Sequence, residues 1–335
     1  MVLPLSALDL VPLGSGYSSH AAVHASVALA RALDNWGYQR VWYAEHHNMP
    51  GIATTTPALL IAHVAPRTQR IRLGAGGVML PNHAPLQVAE AYRLLEALHP
   101  GRIDLGIGRA PGTDPVTASA LRRGRYGGSD EFPGLLAELR GFGTQSLPAG
   151  HPFSQIVAMP DDVTLPPIWL LGSSDYSARL AAQLGLGFAF AGHFSPEPPE
   201  WPLQLYRESF QPGPFREPHA IVALSVFCGE TEVAAKRLAS SMLVAFAQLR
   251  AGRPSRLMSP EQAEQYRFSP EEEAAIGFAR RLQIVGTPAY VRERIEAVAQ
   301  STAADEVMVA THAYVPEQRL RSYELLAREF ELGRG

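Results

Sequence analysis

Short runs rich in Leu, Ile and Val recur along this chain between longer stretches of helical spacing, and that alternation restricts the fold more than any other feature. Candidate strands lie near Leu5–Pro12, Arg40–Glu45, Ile71–Leu80, Ile103–Gly108, Ile168–Gly172, Gly187–Ala191, Ile221–Cys228 and Glu306–Ala310. Helical stretches run near Ala21–Trp36, Pro57–Ala65, Pro85–Leu98, Ser177–Leu184, Glu232–Leu249, Tyr290–Gln300 and Glu317–Phe330. Such a rhythm marks βα units around a parallel sheet. Thr231 before Glu232 reads as an N-cap, Pro57 and Pro288 suit first helical turns, and Gly185 closes a helix. Eight strands, each followed by a helix or a long connection, predict a closed (β/α)8 TIM barrel of the α/β class. The alternative is a doubly wound open sheet. Even spacing of the first four units and a C-terminal helix favour the barrel. So does the turn after the first strand, Gly14-Ser15-Gly16-Tyr17, which is too short for a dinucleotide fingerprint.

A length of 335 residues suits two domains of roughly 150 residues, or one barrel of about 250 with insertions. We read residues 1–335 as a single barrel domain with insertions after strands 4, 6 and 7. The rhythm breaks at Gly112–Pro166, which holds a helix near Gly134–Arg140, at the proline-dense Pro196–Pro218, and over residues 250–285. Connections that follow barrel strands gather at the C-terminal mouth, so 112–166 and 250–285 are expected to be lids. Twenty-nine basic against 32 acidic groups give a net charge of −3, with no bulk attraction to nucleic acid or membrane. The single cysteine, Cys228, excludes a disulfide framework and a cysteine-based zinc cluster. No apolar run reaches the roughly 20 residues of a membrane span, and no secretory signal is evident. The expected location is cytoplasmic.

Four stretches could carry chemistry. Glu45-His46-His47 ends the second strand, where alternation aims His46 opposite to Glu45 and His47. The three therefore do not converge on one metal, no zinc spacing appears elsewhere, and no metal site is expected. His46 reads either as a proton donor or acceptor near neutral pH or as a strand-end histidine satisfied by hydrogen bonds. In Leu73-Gly74-Ala75-Gly76-Gly77-Val78-Met79-Leu80-Pro81 the glycines mark a bulge where a flat ligand approaches the backbone, or a tight packing position inside a barrel. Gly106-Ile107-Gly108-Arg109 ends the fourth strand. Arg109 there suits a phosphate or carboxylate, or else an acidic neighbour. Gly172-Ser173-Ser174-Asp175-Tyr176-Ser177 enters a helix, and its N–H groups either bind an anion or are capped by the serines and Asp175. Arg109 and this turn are close enough along the barrel rim to reach one phosphate. Cys228 reads as a buried small hydrophobe, Asp9 as an inward residue needing a partner, and His193, Phe194 and His312 as residues near the mouth.

Together these motifs resemble the bacterial luciferase-like family of flavin-dependent monooxygenases. The resemblance is carried by Trp42-Tyr43-Ala44-Glu45-His46-His47, by Leu73–Pro85, by Glu90 and Leu95, by Gly101-Arg102-Ile103-Asp104-Leu105-Gly106-Ile107-Gly108-Arg109, and by Gly172-Ser173-Ser174 with Ala181–Gly185. It implies a barrel binding FMN at its mouth. Arg109, Ser173, Ser174 and Ser177 match the residues that hold the flavin phosphate, Gly76 and Gly77 the bulge beside the flavin ring, and His46 the acid/base histidine. Where bacterial luciferase has a reactive cysteine before the arginine of the fourth-strand motif, this chain has Gly108, so light emission is not expected.

The resemblance implies a monooxygenase that takes reduced FMN as co-substrate from a separate NAD(P)H:flavin reductase and uses O2 to oxidise a small organic substrate. It also implies a homodimer. Two other readings stand beside it: an oxidoreductase transferring hydride with F420 or FMN and no oxygen insertion, and a non-catalytic flavin-binding protein.

Overall fold

The computed structural model describes residues 3–122 and 131–333. Among these, nine parallel strands form one sheet: β1 (Leu5–Asp9), β2 (Arg40–Tyr43), β3 (Arg72–Met79), β4 (Ile103–Gly108), β5 (Ile168–Gly172), β6 (Gly187–Phe190), β7 (Ala220–Cys228), β8 (Gln283–Gly286) and β9 (Glu306–Ala310). Strands β1 to β7 pair in chain order, β7 pairs with β9, and β9 pairs with β1 through Leu5 and Val307. Eight strands thus close a barrel. The remaining strand, β8, falls in the segment read from sequence as an insertion. It pairs with the far end of β7, Ser225–Cys228 against Gln283–Gly286.

The helices are α1 (Ser19–Trp36), α2 (Pro57–Val64), α3 (Pro85–Leu98), α4 (Pro115–Arg122), α5 (Phe132–Thr144), α6 (Asp175–Gln183), α7 (Glu200–Glu208), α8 (Glu232–Arg250), α9 (Pro260–Gln265), α10 (Pro270–Leu282), α11 (Pro288–Thr302) and α12 (Pro316–Glu329). Thr231 caps α8 by accepting from Ala234 N, and Gly185 follows α6 at φ +60°. The helices α4, α7, α9 and α10 lie in stretches read as connections. The last two carry capping boxes, Ser259 with Gln262 and Ser269 with Glu272. Among the described residues no helix is long and apolar enough to cross a membrane.

Side-chain alternation sorts the strands into two cores. Leu8, Trp42, Trp169, Ala189, Ile221 and Met308 pack inside the barrel, while Leu5, Ala7, Val41, Leu73, Leu105 and Val307 belong to the larger core under the helices. The Trp42 and Trp169 indoles meet edge to face at 5.6 Å and crowd the interior. Gly74 is glycine for this reason, since a Cβ there would stand 2.6 Å from the Trp42 ring. The floor of the barrel is ionic. Arg40 donates two bonds of 2.8 Å to Glu306 and one of 2.8 Å to Asp104, and Asp104 also accepts from Arg72 and from Trp42 Nε1. Asp9, expected to point inward, faces outward between α1 and α12, where it accepts from Ser26 and, at 2.8 Å, from Arg319. The preceding residue, Leu8, takes the inward position, so strand alternation itself turns Asp9 away.

The segments expected as lids divide. In 112–166, Gly112 and α4 adjoin the mouth, α5 packs on α3 as an ordinary barrel helix, and residues 145–166 lead back to the start of β5. Arg93 anchors that return by donating to Gly143 O (2.9 Å) and Ala158 O. Residues 123–130 of this segment lie outside the described residues. In 250–285, Leu257 bridges to Gly14 across the loop that follows β1, whereas α9 and α10 pack on α8.

Candidate active site at the barrel mouth

A cavity of about 210 Å³ opens at the C-terminal ends of the strands. His46, Gly76, Arg109, Ser173, Ser174 and Ser177 all line it, with His193 and Phe194. Gly77 is joined to Gly76 by a cis peptide bond. The two stand in a bulge where β3 holds one more residue than β4, between Ala75 and Val78. A Cβ at Gly76 would lie 2.7 Å from Leu8 Cδ1, and one at Gly77 would lie 2.8 Å from Gly106 O. These contacts account for tight interior packing at both glycines, and Gly76 presents bare backbone to the cavity.

One end of the cavity is built for an anion. Ser174 is the N-cap of α6, yet its side chain makes no capping hydrogen bond. The first N–H groups of this helix therefore keep their donors, aided by the helix dipole. Gly172 fits beneath because any side chain there would collide with Ser177. Arg109 directly follows β4, across from this turn, its guanidinium 4.5 Å over the Tyr176 ring. No carboxylate among the described residues pairs with it.

The other end carries His46. Its Nδ1 lies 3.0 Å from Gly112 O. A carbonyl only accepts, so Nδ1 bears the proton and Nε2 keeps its lone pair. Burial outweighs the bond to Gly112 and the nearby Glu45 charge, and holds His46 below the usual histidine value. The ring is therefore neutral at pH 7.

Glu45 turns the opposite way, as alternation requires. Its Oε1 accepts from His83 Nε2 (2.8 Å) and His47 Nε2 (3.1 Å), and its Oε2 from Met79 N (3.1 Å). Burial alone would raise this carboxyl, but those donors overcome it and hold the value low. Glu45 thus locks the end of β2 to the end of β3. His83 was not singled out from sequence; it lies 38 residues further along the chain, and no local spacing announces the pair.

His312 is buried, 9% exposed, and desolvation pushes it down to about 4. Cys228 is buried too, and burial lifts its thiol to about 12, which suits a packing residue rather than a nucleophile.

The family model described as luciferase-like monooxygenase matches residues 5–306. A relative named luciferase-like monooxygenase from Escherichia coli K12 is 43% identical over 324 residues, 96% of each chain. The crystal structure of apo-MsnO8 superposes with a TM-score of 0.88 at 35% identity, covering 98% of this chain and 99% of that one. Two solved structures share the fold alone, both at a TM-score of 0.71 and each with at least 97% of both chains covered. One is the oxygenating constituent of 3,6-diketocamphane monooxygenase of Pseudomonas putida in complex with FMN, at 20% identity, and the other an F420-dependent secondary alcohol dehydrogenase, at 12%. With its barrel, its mouth motifs and these likenesses along nearly its whole length, the chain belongs to the luciferase-like monooxygenase family.

Proposed function

We propose that the protein is an FMN-dependent monooxygenase that receives reduced FMN from a separate NAD(P)H:flavin reductase and oxidises a small organic substrate with O2. One observation carries this reading. A single cavity combines Arg109, which has no carboxylate partner among the described residues, and an uncapped helix N-terminus at one end with the free lone pair of His46 Nε2 at the other. Reduced FMN would supply the electrons that activate O2. Arg109 and the α6 N–H groups, with Ser173, Ser174 and Ser177, hold its phosphate. Gly76 and Gly77 would leave backbone, not side chains, for its ring to lie against. His46 Nε2 accepts a proton and returns it. Leu10, Met79, Phe190 and Met308 give this pocket apolar walls that keep water from the reacting groups.

Among the described lining residues Arg109 alone carries a fixed charge. That favours FMN, with one phosphate, over F420, whose tail adds carboxylates. Anaerobic titrations with FMN in both redox states, and with F420 in parallel, test the reading through flavin fluorescence and absorbance. FMN is expected to bind, and Arg109→Ala to weaken it by about 1.5–3 kcal/mol. No affinity for either redox state would overturn the proposal. If FMN binds, O2 uptake coupled to substrate separates oxygen insertion from hydride transfer.

A further inference from the structure

The cavity holds a second histidine that the proton role of His46 leaves unused. His193 sits just after β6, in a turn closed by Ser195 N–H donating to Ala191 O at 3.1 Å. Its ring lines the cavity and packs edge-on against Phe194, with centroids 4.6 Å apart at 83°. Phe194 is 54% exposed at the lip. Nδ1 of His193 is shut off from solvent and has no hydrogen-bond partner, which leaves Nε2 as the nitrogen that reaches the cavity.

Burial, with the His46 ring beside it, pushes His193 down to about 4. At pH 7 the ring is neutral and carries one N–H. A sealed N–H without an acceptor is rarer and more costly than a sealed lone pair, so the hydrogen sits on Nε2. His46 has the opposite tautomer, because its Nδ1 donates to Gly112 O. The two rings thus offer the cavity one donor and one acceptor, neither charged.

We propose that His193 is a specificity-determining residue whose Nε2–H donates a hydrogen bond to an oxygen of an uncharged, largely apolar substrate, with Phe194 covering the apolar part. The assignment rests on the flavin reading in one respect: it gives Arg109 to the phosphate. An anionic substrate would then meet no further cation among the described lining residues, and burying its charge beside two neutral rings would be unfavourable.

The probe is 2-octanone, with octanoate as its charged counterpart. Binding is read without turnover, from the absorption band of bound oxidised FMN and from histidine ¹⁵N shifts of the FMN-free protein. The ketone is expected to bind the wild type and to move the His193 Nε2 signal, and octanoate to bind at least about tenfold more weakly. His193→Phe should weaken the ketone about five- to tenfold while leaving FMN affinity within about twofold. His193→Gln, which supplies an amide N–H, should restore most of the loss. Unchanged ketone affinity in His193→Phe would overturn the proposal. So would weakened FMN binding in that variant, which would make the ring a flavin ligand. Octanoate binding as tightly as the ketone, or no ketone binding to the wild type, would overturn it as well. If FMN fails to bind the wild type, the cofactor reading fails, and the ¹⁵N arm on the FMN-free protein still decides the role of His193.

Discussion

His46 combines three properties that follow from its neighbours: a proton fixed on Nδ1 by Gly112 O, a free Nε2, and a pKa lowered chiefly by burial. Its neutral form therefore persists below the ordinary value of 6.5. In a pH–rate profile the acid limb should fall below that value. His46→Ala should abolish that limb and lower turnover by roughly 10²–10⁴-fold, with FMN affinity unchanged by fluorescence titration. Retention of full activity would show that His46 does not move the proton. Two further histidines affect stability. His193 and His312 are pushed to about 4 in the folded protein, against about 6.5 when unfolded. Both values are lowered, so the unfolded chain binds more protons, and stability present above 6.5 is lost as pH falls toward 4. At pH 5 each should remove about 2 kcal/mol relative to pH 7. Urea midpoints at the two pH values measure this, and His312→Asn should flatten the dependence. At this scale the strand-end residues were legible, because alternation separates His46 from Glu45 without further information. The tautomers were not, since they depend on Gly112 O and on a sealed Nδ1, neither of which leaves a trace in local sequence.

Among the elements, β3 and β4 meet where little but hydrogen fits. A Cβ at Gly106 would collide with Ala75 O, whereas one at Gly277, within α10, would meet nothing within 4 Å. Gly106→Ala is therefore expected to prevent folding or to destabilise by several kcal/mol, on the scale of about 1–3 for overpacking and more against rigid backbone. Gly277→Ala should stabilise by about 0.5–1 kcal/mol through helix propensity. Thermal melts of the pair check both, and comparable melting of Gly106→Ala and wild type would refute the packing account. The same contrast explains what could be read at this level. The eight barrel strands and the long amphipathic helices announce themselves by apolar period. By contrast α9 and α10 are short or charge-rich, and their one plain signal is Ser-Pro followed by Gln262 or Glu272 at the capping-box position. Strand β8 is four residues long with an alternating burial pattern, too short for periodicity to separate from the helix that precedes it.

Across the whole molecule, the proposed site and the buried ion cluster occupy opposite ends of the barrel. The mouth holds His46 and His193, both lowered by burial, and an arginine with no carboxylate partner among the described residues, while the floor holds Arg40 clasped by Glu306 and Asp104. Removing Glu306 would leave Arg40 and Arg72 to share Asp104, with one positive charge in excess. Glu306→Gln should thus destabilise by about 3–5 kcal/mol, and the double change Arg40→Met with Glu306→Leu should recover much of it. Urea denaturation of the two variants distinguishes this from a passive ion pair, for which Glu306→Gln would be nearly silent.

The pairing of β1 with β9 joins residues some 300 positions apart, and it sets a timetable for synthesis. At roughly 5–20 residues per second, the free edge of Leu5–Asp9 waits about 15–60 s for its partner to be made. During that interval the nascent sheet is open, with unpaired donors and acceptors along β1 of the kind that invite pairing with other chains. The burden of keeping this protein from aggregating therefore falls on the ribosome-bound chain and whatever shields it, and ends only when Glu306–Ala310 arrives to complete the ring.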